Sequence, residues 1–370
     1  MKKRCTWLVN NFIDRKLYAP FVIEKDIDYL YDLQDKYNLL LTKAEKAGAD
    51  AKSISIIKTC TDKIINSLVF YYNGEISKSH NLIKEYVGEI INHPLAVNYI
   101  SNSNAFPGIK GSEVQFFRAR TSSKYYNFKA KDMLHLPKKL RGKTNNYRFS
   151  IPGTSSLYLC NTSYGCWLET GKPSEHDFYV SPVLVDNTLR IFNLVIMQRN
   201  LLYLNDLDID TVHCWLKLII LMIATSYVIE EENRTFKSEY IISQITMLIC
   251  KELGLDGIAY YSKRVDDEIF ANCAINLALF APYDKGDYSS LCEHIKIDAP
   301  FNFSLYKQLL PSLTTKQYDL RIRDTGLITN VGNYKHQYPY FETQYYEFDR
   351  FLFSSWTNKD EIEWGNALKE

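Results

Sequence analysis

The stretch from residue 214 to residue 229, CWLKLIILMIATSYVI, is apolar on every face that a helix could present, and this restricts the fold more than any other feature of the chain. A membrane span needs about twenty predominantly apolar residues with few charges. Lys217 and the Thr225-Ser226 pair interrupt this run, so a helix buried within protein fits it better. Such a helix needs layers packed around it on all sides. At 370 residues and 46% hydrophobic composition the chain has the material to build them.

Two kinds of pattern flank that helix. Ile27, Leu30, Leu33, Tyr37, Leu40 and Leu41 recur at helical spacing, as do Ile57, Cys60, Ile64, Ile65 and Leu68. Gly48-Ala49-Asp50 and Asn73-Gly74-Glu75 break these segments, and a third helix, 78–92, stops ahead of Pro94. From Asn102 the texture changes. Pro107, Gly108 and Gly111 mark a turn-rich junction, after which short strands (114–120, 156–160, 178–185, 189–193, 257–262, 274–280) alternate with helices (164–170, 211–229, 238–253). Gly254 stands where a left-handed cap would end the last of these helices. The fold class is α+β. We divide the chain into a helical unit for regulation or assembly (1–105), a catalytic unit (106–300) and an aromatic-rich extension (301–370). The extension, with Tyr338, Tyr340, Phe341, Tyr345, Tyr346, Phe348, Phe351 and Phe353, is expected to pack back on the body.

Charge and cysteine usage narrow the function. The 44 basic and 43 acidic residues leave a net charge of +1, so no global field points to nucleic acid or an anionic membrane. The basic run Lys129, Lys131, Lys138, Lys139, Arg141 and Lys143 reads as a solvated loop face. Cys5, Cys60, Cys160, Cys166, Cys214, Cys250, Cys273 and Cys292 form no C-x-x-C pair and read as reduced, buried thiols. The apolar stretch after Lys2-Lys3-Arg4 is too short for a signal peptide, which suggests a cytoplasmic protein. The histidines lack metal spacing, and His213 in the apolar helix reads as a satisfied core residue. Asn205-Asp206-Leu207-Asp208-Ile209-Asp210 lacks the glycine and terminal glutamate of a calcium loop and reads as a solvated helix entry. No metal is expected.

The chemistry-bearing residues lie in the middle of the chain: Phe116-Phe117-Arg118-Ala119-Arg120, Tyr147-Arg148-Phe149-Ser150 ahead of Gly153, Leu157-Tyr158-Leu159, Glu169, and Gly257-Ile258-Ala259-Tyr260-Tyr261-Ser262. Strand alternation puts Tyr158 on the face opposite Leu157 and Leu159. Thr162 or Ser163 can cap a helix that returns Glu169 toward that strand. There is no G-x-G-x-x-G, and 108–112 is not a P-loop.

In order and spacing these fragments resemble the RES domain, a family named for its Arg, Glu and Ser, whose members act on NAD as toxins. The likeness covers roughly 114–280. It implies an ADP-ribosyltransferase-like fold of two small sheets with flanking helices, with NAD as substrate in the cleft between them and no metal. By resemblance, Glu169 holds a ribose hydroxyl and stabilises developing positive charge, Tyr158 stacks on nicotinamide, and Ser262 bonds the nicotinamide side of the ligand. Arg118 and Arg148 both match the family arginine, expected on the pyrophosphate, with Arg120 and Tyr261 completing the ligand-binding set. Tyr240 and Gln244, four apart on one helix face, are expected behind the site or in the core.

The implied activity is cleavage of the nicotinamide–ribose bond by a toxin or antiphage defence effector, as a glycohydrolase or phosphorylase. A protein ADP-ribosyltransferase and a noncatalytic interaction protein are the alternatives. An antitoxin or activating protein is an implied partner, and a homo-oligomer remains open. Helical extensions ahead of RES domains include HEPN-like modules. This chain has no cysteine pair beside Cys5 and no Arg-x4-6-His in its early helices, which argues against a zinc site or a ribonuclease there.

Overall fold

The computed structural model describes residues 15–17, 19–23, 27–103, 105–106, 113–124, 126–196, 208–229, 234–265, 274–313, 330–333, 336–354 and 362–369. Cys5, Cys273, the junction residues Pro107, Gly108 and Gly111, and Asn205 to Leu207 of the acidic run lie outside these.

Three helices come first: α1 (Tyr29–Lys46), α2 (Ala51–Tyr72) and α3 (Ile76–Gly88). Asp28 caps α1 by accepting from the Leu30 N–H at 2.8 Å, and Asp50 caps α2 by accepting from Lys52 and Ser53 at 3.0 Å. Then follow β1 (Val97–Tyr99), β2 (Glu113–Thr121), β3 (Ser156–Cys160), α4 (Ser163–Glu169), β4 (Phe178–Asp186) and β5 (Arg190–Asn193). The apolar run forms α5 (Ile209–Thr225), followed by α6 (Ile241–Glu252), β6 (Gly257–Tyr261) and β7 (Ile275–Phe280). The described chain ends with β8 (Ile295–Ile297), β9 (Phe301–Asn302), α7 (Phe303–Leu313), a hairpin of β10 (Asn330–Asn333) and β11 (His336–Pro339), and α8 (Gln344–Ser354).

Helix α5 ends earlier than its apolar run, because Tyr227 leaves the helix to bridge Phe21. It is buried nearly all round, and its backbone carbonyls are still used. Tyr29 Oη donates to the Ala224 carbonyl at 2.6 Å, Tyr37 Oη to Ile220 at 2.9 Å and Tyr86 Oη to Lys217 at 2.5 Å. Each phenol is thus satisfied inside an apolar layer, where an unmade bond would cost about 1–3 kcal/mol. One buried cluster runs from Leu33, Ile57 and Ile83 on α1 to α3 through α5 and α6 to Phe192, Ile258 and Ala278 of the sheet. His213 departs from its reading as a satisfied core residue: its Nε2 has no hydrogen-bond partner among the described residues. Six of the cysteines are free and buried, and Asp208 caps α5, as the acidic run suggested.

The strands differ from the expectation of two small sheets. Among the described residues they form one nine-stranded mixed sheet in the order β1-β5-β6-β7-β3-β2-β4-β8, with β9 also on β4, beside the separate hairpin. The reason is the join between β3 and β2. It consists of a single pair, Phe117 opposite Cys160, whereas β2 and β4 pair from Glu113 to Thr121 and β3 and β7 from Ser156 to Cys160. Two panels therefore share one seam. Alternation along the strands sends Ile258, Tyr260 and Ala278 toward α5 and α6, and Leu157, Leu159, Ala259, Tyr261 and Leu277 into a second cluster on the other face.

The aromatic-rich tail does pack on the body. Phe348, Phe351, Leu352 and Phe353 of α8 are buried with Phe303, Tyr306, Phe117 and Phe178, while Tyr338 and Phe341 stay exposed. No described helix is long and apolar enough to cross a membrane.

Candidate active site

Most of the named residues gather around β3, β6 and β7, beside the seam between the panels. Pairing of β7 with both β3 and β6 sets Asn276 opposite Cys160 on one side and Tyr260 on the other. Beyond these ends the chain turns into α4 from β3 and into Ser262 from β6. Thr162 caps α4, its Oγ1 accepting from the Gly165 N–H at 2.9 Å, and Glu169 is the last residue of that helix. Glu169 is exposed, and its Oε1 accepts from Asn276 Nδ2 at 2.6 Å. A free carboxylate with one oxygen anchored on a buried strand residue is well placed to meet developing positive charge.

Arg148 is the arginine grouped with Glu169. It is 8% exposed; its Nη1 donates to the Thr225 carbonyl at 3.1 Å and its Nη2 to the Tyr261 carbonyl at 2.7 Å. The guanidinium also lies over the Tyr260 ring, 4.1 Å from its centroid. Burial lowers its proton affinity, while Tyr260 and Glu169 act in the opposite direction. Gln244 holds the turn that carries Arg148, donating to the Tyr147 carbonyl at 3.0 Å and also to Asn146. Tyr240 stands near Arg148 and Glu169, and burial raises its phenol.

Tyr158 occupies the predicted strand face. Its hydroxyl donates to Ser150 Oγ at 2.9 Å, and the exposed Tyr147 ring packs edge-on against it at 5.7 Å. Burial drives the Tyr158 phenol upward, so it remains a neutral donor. Arg118 and Arg120 do different work. Arg118 Nη1 donates to the Tyr158 carbonyl at 2.8 Å across the seam, where the ladder has lapsed, and Arg120 Nη2 donates to Leu134 at 3.2 Å. The Nε of each is buried with no partner among the described residues. Burial foremost, then Arg120 beside it, pushes the Arg118 guanidinium down to about 10.

Ser262 is buried; its Oγ accepts from the Arg264 N–H at 3.1 Å, and no histidine contacts it among the described residues. Tyr261 offers its carbonyl to Arg148, but its ring turns into the apolar cluster with Leu157 and Leu277. Beside Ser262 a small pocket, with a cavity volume of about 10 Å³, is lined by Ala19, Pro20, Ser226, Tyr261, Ser262 and Lys263.

Asn276 and Lys263 escaped the sequence reading. Asn276 had a visible signal, as the one polar residue in the run 274–281, AINLALFA. Lys263 had only its place after Ser262. A third unforeseen element reaches the start of α4, the helix that ends at Glu169, from far along the chain. Asp349 of α8, 4% exposed, accepts from the Ser163 N–H at 3.0 Å at the start of α4 and from Tyr340 Oη at 2.5 Å. Burial raises this carboxyl to about 7 against those two hydrogen bonds.

No family model matches the chain. It is 27% identical over 342 residues to the "Putative toxin YopC" of Bacillus subtilis (strain 168), covering 83% of this chain and 75% of that protein. A solved structure of the M. tuberculosis MbcT-MbcA toxin-antitoxin complex aligns with 53% of this chain and 88% of its own at 11% identity, with a TM-score of 0.29. A likeness that low carries no inference about either fold or site.

Proposed function

We propose that this protein is a toxin that consumes NAD by breaking the bond between nicotinamide and ribose. The observation that carries the reading is the grouping of an exposed, anchored carboxylate, Glu169, with Arg148, Tyr158 and the buried Ser262 at the ends of β3, β6 and β7. The name borne by the Bacillus relative supports the toxin half of the proposal. A neutralising partner protein belongs to the same reading.

The chemistry follows from charge. The C–N bond breaks with its electron pair going to the nicotinamide nitrogen, which leaves neutral, while the ribose carbon becomes cationic. Glu169 stabilises that cation through its exposed oxygen, and water, which gives up a proton to solvent, or phosphate then supplies the oxygen that closes the new bond. Tyr147 and Tyr158 offer aromatic surface for the nicotinamide, and Ser262 offers a hydroxyl to its amide. Incubation with NAD, with and without phosphate, tests the reading by free nicotinamide and by the identity of the ribosyl product. Absence of nicotinamide under both conditions removes it.

A further inference from the structure

We propose that Lys263 is the phosphate-contacting cation of this site, the ammonium that meets the pyrophosphate of the bound dinucleotide. The proposal rests on the NAD reading for the identity of the ligand, and on four observations for the residue.

Of the arginines expected on the pyrophosphate, Arg148 has both terminal nitrogens engaged, on Thr225 and Tyr261, while Arg118 has one on Tyr158 and Arg120 one on Leu134. Lys263 is partly buried, adjoins Ser262 and lines the pocket beside it. Its Nζ donates to the Tyr227 carbonyl and stands 5.6 Å from the centroid of the Tyr240 ring, and it makes no ion pair among the described residues. The nearby carboxylates are already occupied. Glu239 takes Arg234 at 2.6 Å and Ser238 at 3.1 Å, and Glu169 takes Asn276. Buried cations are normally paired, so a half-buried lysine with neutral partners at the mouth of a pocket is built for an anion that arrives from outside.

Burial, then Arg148, pulls the Lys263 amine well below its ordinary range, with Glu239 and Glu169 opposing. Tyr227 and Tyr240 are the other titratable groups against it, and burial raises both phenols, so neither is an anion. A bound phosphate would restore the proton. Over the pH range in which the free amine loses its proton, binding should then take up a proton, and affinity should fall as pH rises.

The test uses ADP-ribose, which keeps the pyrophosphate and lacks the scissile bond. Calorimetry compares wild type, Lys263→Met and Lys263→Arg, with nicotinamide release from NAD measured alongside. Loss of one charge-assisted contact predicts about ten- to hundred-fold weaker binding for Lys263→Met and a smaller loss for Lys263→Arg. Wild type should also show proton uptake in paired buffers of different ionisation heat, a readout that stands if the methionine variant fails to fold. Unchanged affinity in a folded Lys263→Met, or no proton uptake by wild type, overturns the assignment even where NAD is cleaved. Binding through Lys263 without nicotinamide release sustains it and removes the cleavage reading. A wild type that neither binds ADP-ribose nor cleaves NAD overturns both.

Discussion

The Arg148 guanidinium stands 4.1 Å over the Tyr260 ring while donating to the carbonyl of the next residue, Tyr261, at 2.7 Å. One side chain thus grips β6 by both its ring and its backbone, and with the Thr225 bond it fastens the sheet to the end of α5. Replacement by methionine takes a donor from each of two carbonyls and removes the stacked cation. The expected loss is about 3 kcal/mol, read as a lowered denaturant midpoint at unchanged slope. Lysine should recover little, since it lacks the fork that reaches both carbonyls.

Glu169→Gln should separate chemistry from folding. The side chain is exposed, and glutamine keeps an oxygen for Asn276, so stability should stay within about 0.5 kcal/mol. Nicotinamide release should fall about 10²- to 10³-fold, the scale of losing one preorganised transition-state contact. A variant with full activity would show that another group carries the charge.

Gly257 tests the sheet itself. A Cβ there would lie 2.6 Å from the Ala278 carbonyl and 2.9 Å from a Leu279 methyl, in a strand paired on both sides. Backbone cannot yield as a side chain does, so Gly257→Ala should cost about 1–3 kcal/mol by thermal or chemical melting.

Asp349 sets a pH dependence of stability. Its folded pKa of about 7 lies above the unfolded carboxylate range. Across the interval between them the folded state holds a proton that the unfolded chain has released, so this group's contribution to stability falls as pH rises from about 4 to 7 and is level beyond. Asp349→Asn removes that slope. Melting curves of both proteins across this range should diverge toward neutral pH in favour of the variant, after allowance for a constant offset from altered bonding to Ser163 and Tyr340.

The helices before residue 103, the buried α5 and the place of Tyr158 were legible because each is written in local periodicity. The helix that ends at Glu169 was legible from its cap at Thr162 or Ser163, while Glu169 itself was singled out by resemblance to the family glutamate. Its partner was not: Asn276 comes to the site by antiparallel register with Cys160 and Tyr260, a relationship between distant segments that no local pattern encodes. The same holds for the arginines, whose acceptors are backbone carbonyls and so leave no mark in side-chain identity. The two-sheet expectation missed the Phe117–Cys160 pair because one residue pair is enough to join panels and too little to leave a motif.

The bond from Asp349 to Ser163 has a consequence for the order in which the site can be assembled. A ribosome makes the chain from its amino end, so α4 and Glu169 emerge long before the carboxylate that anchors the start of α4. Between the emergence of Ser262 and that of Asp349 the nascent polypeptide carries every residue of the proposed catalytic group without the brace at the start of α4. A protein harmful to its own cell would gain from that delay, since the brace would arrive only once Asp349 has been made.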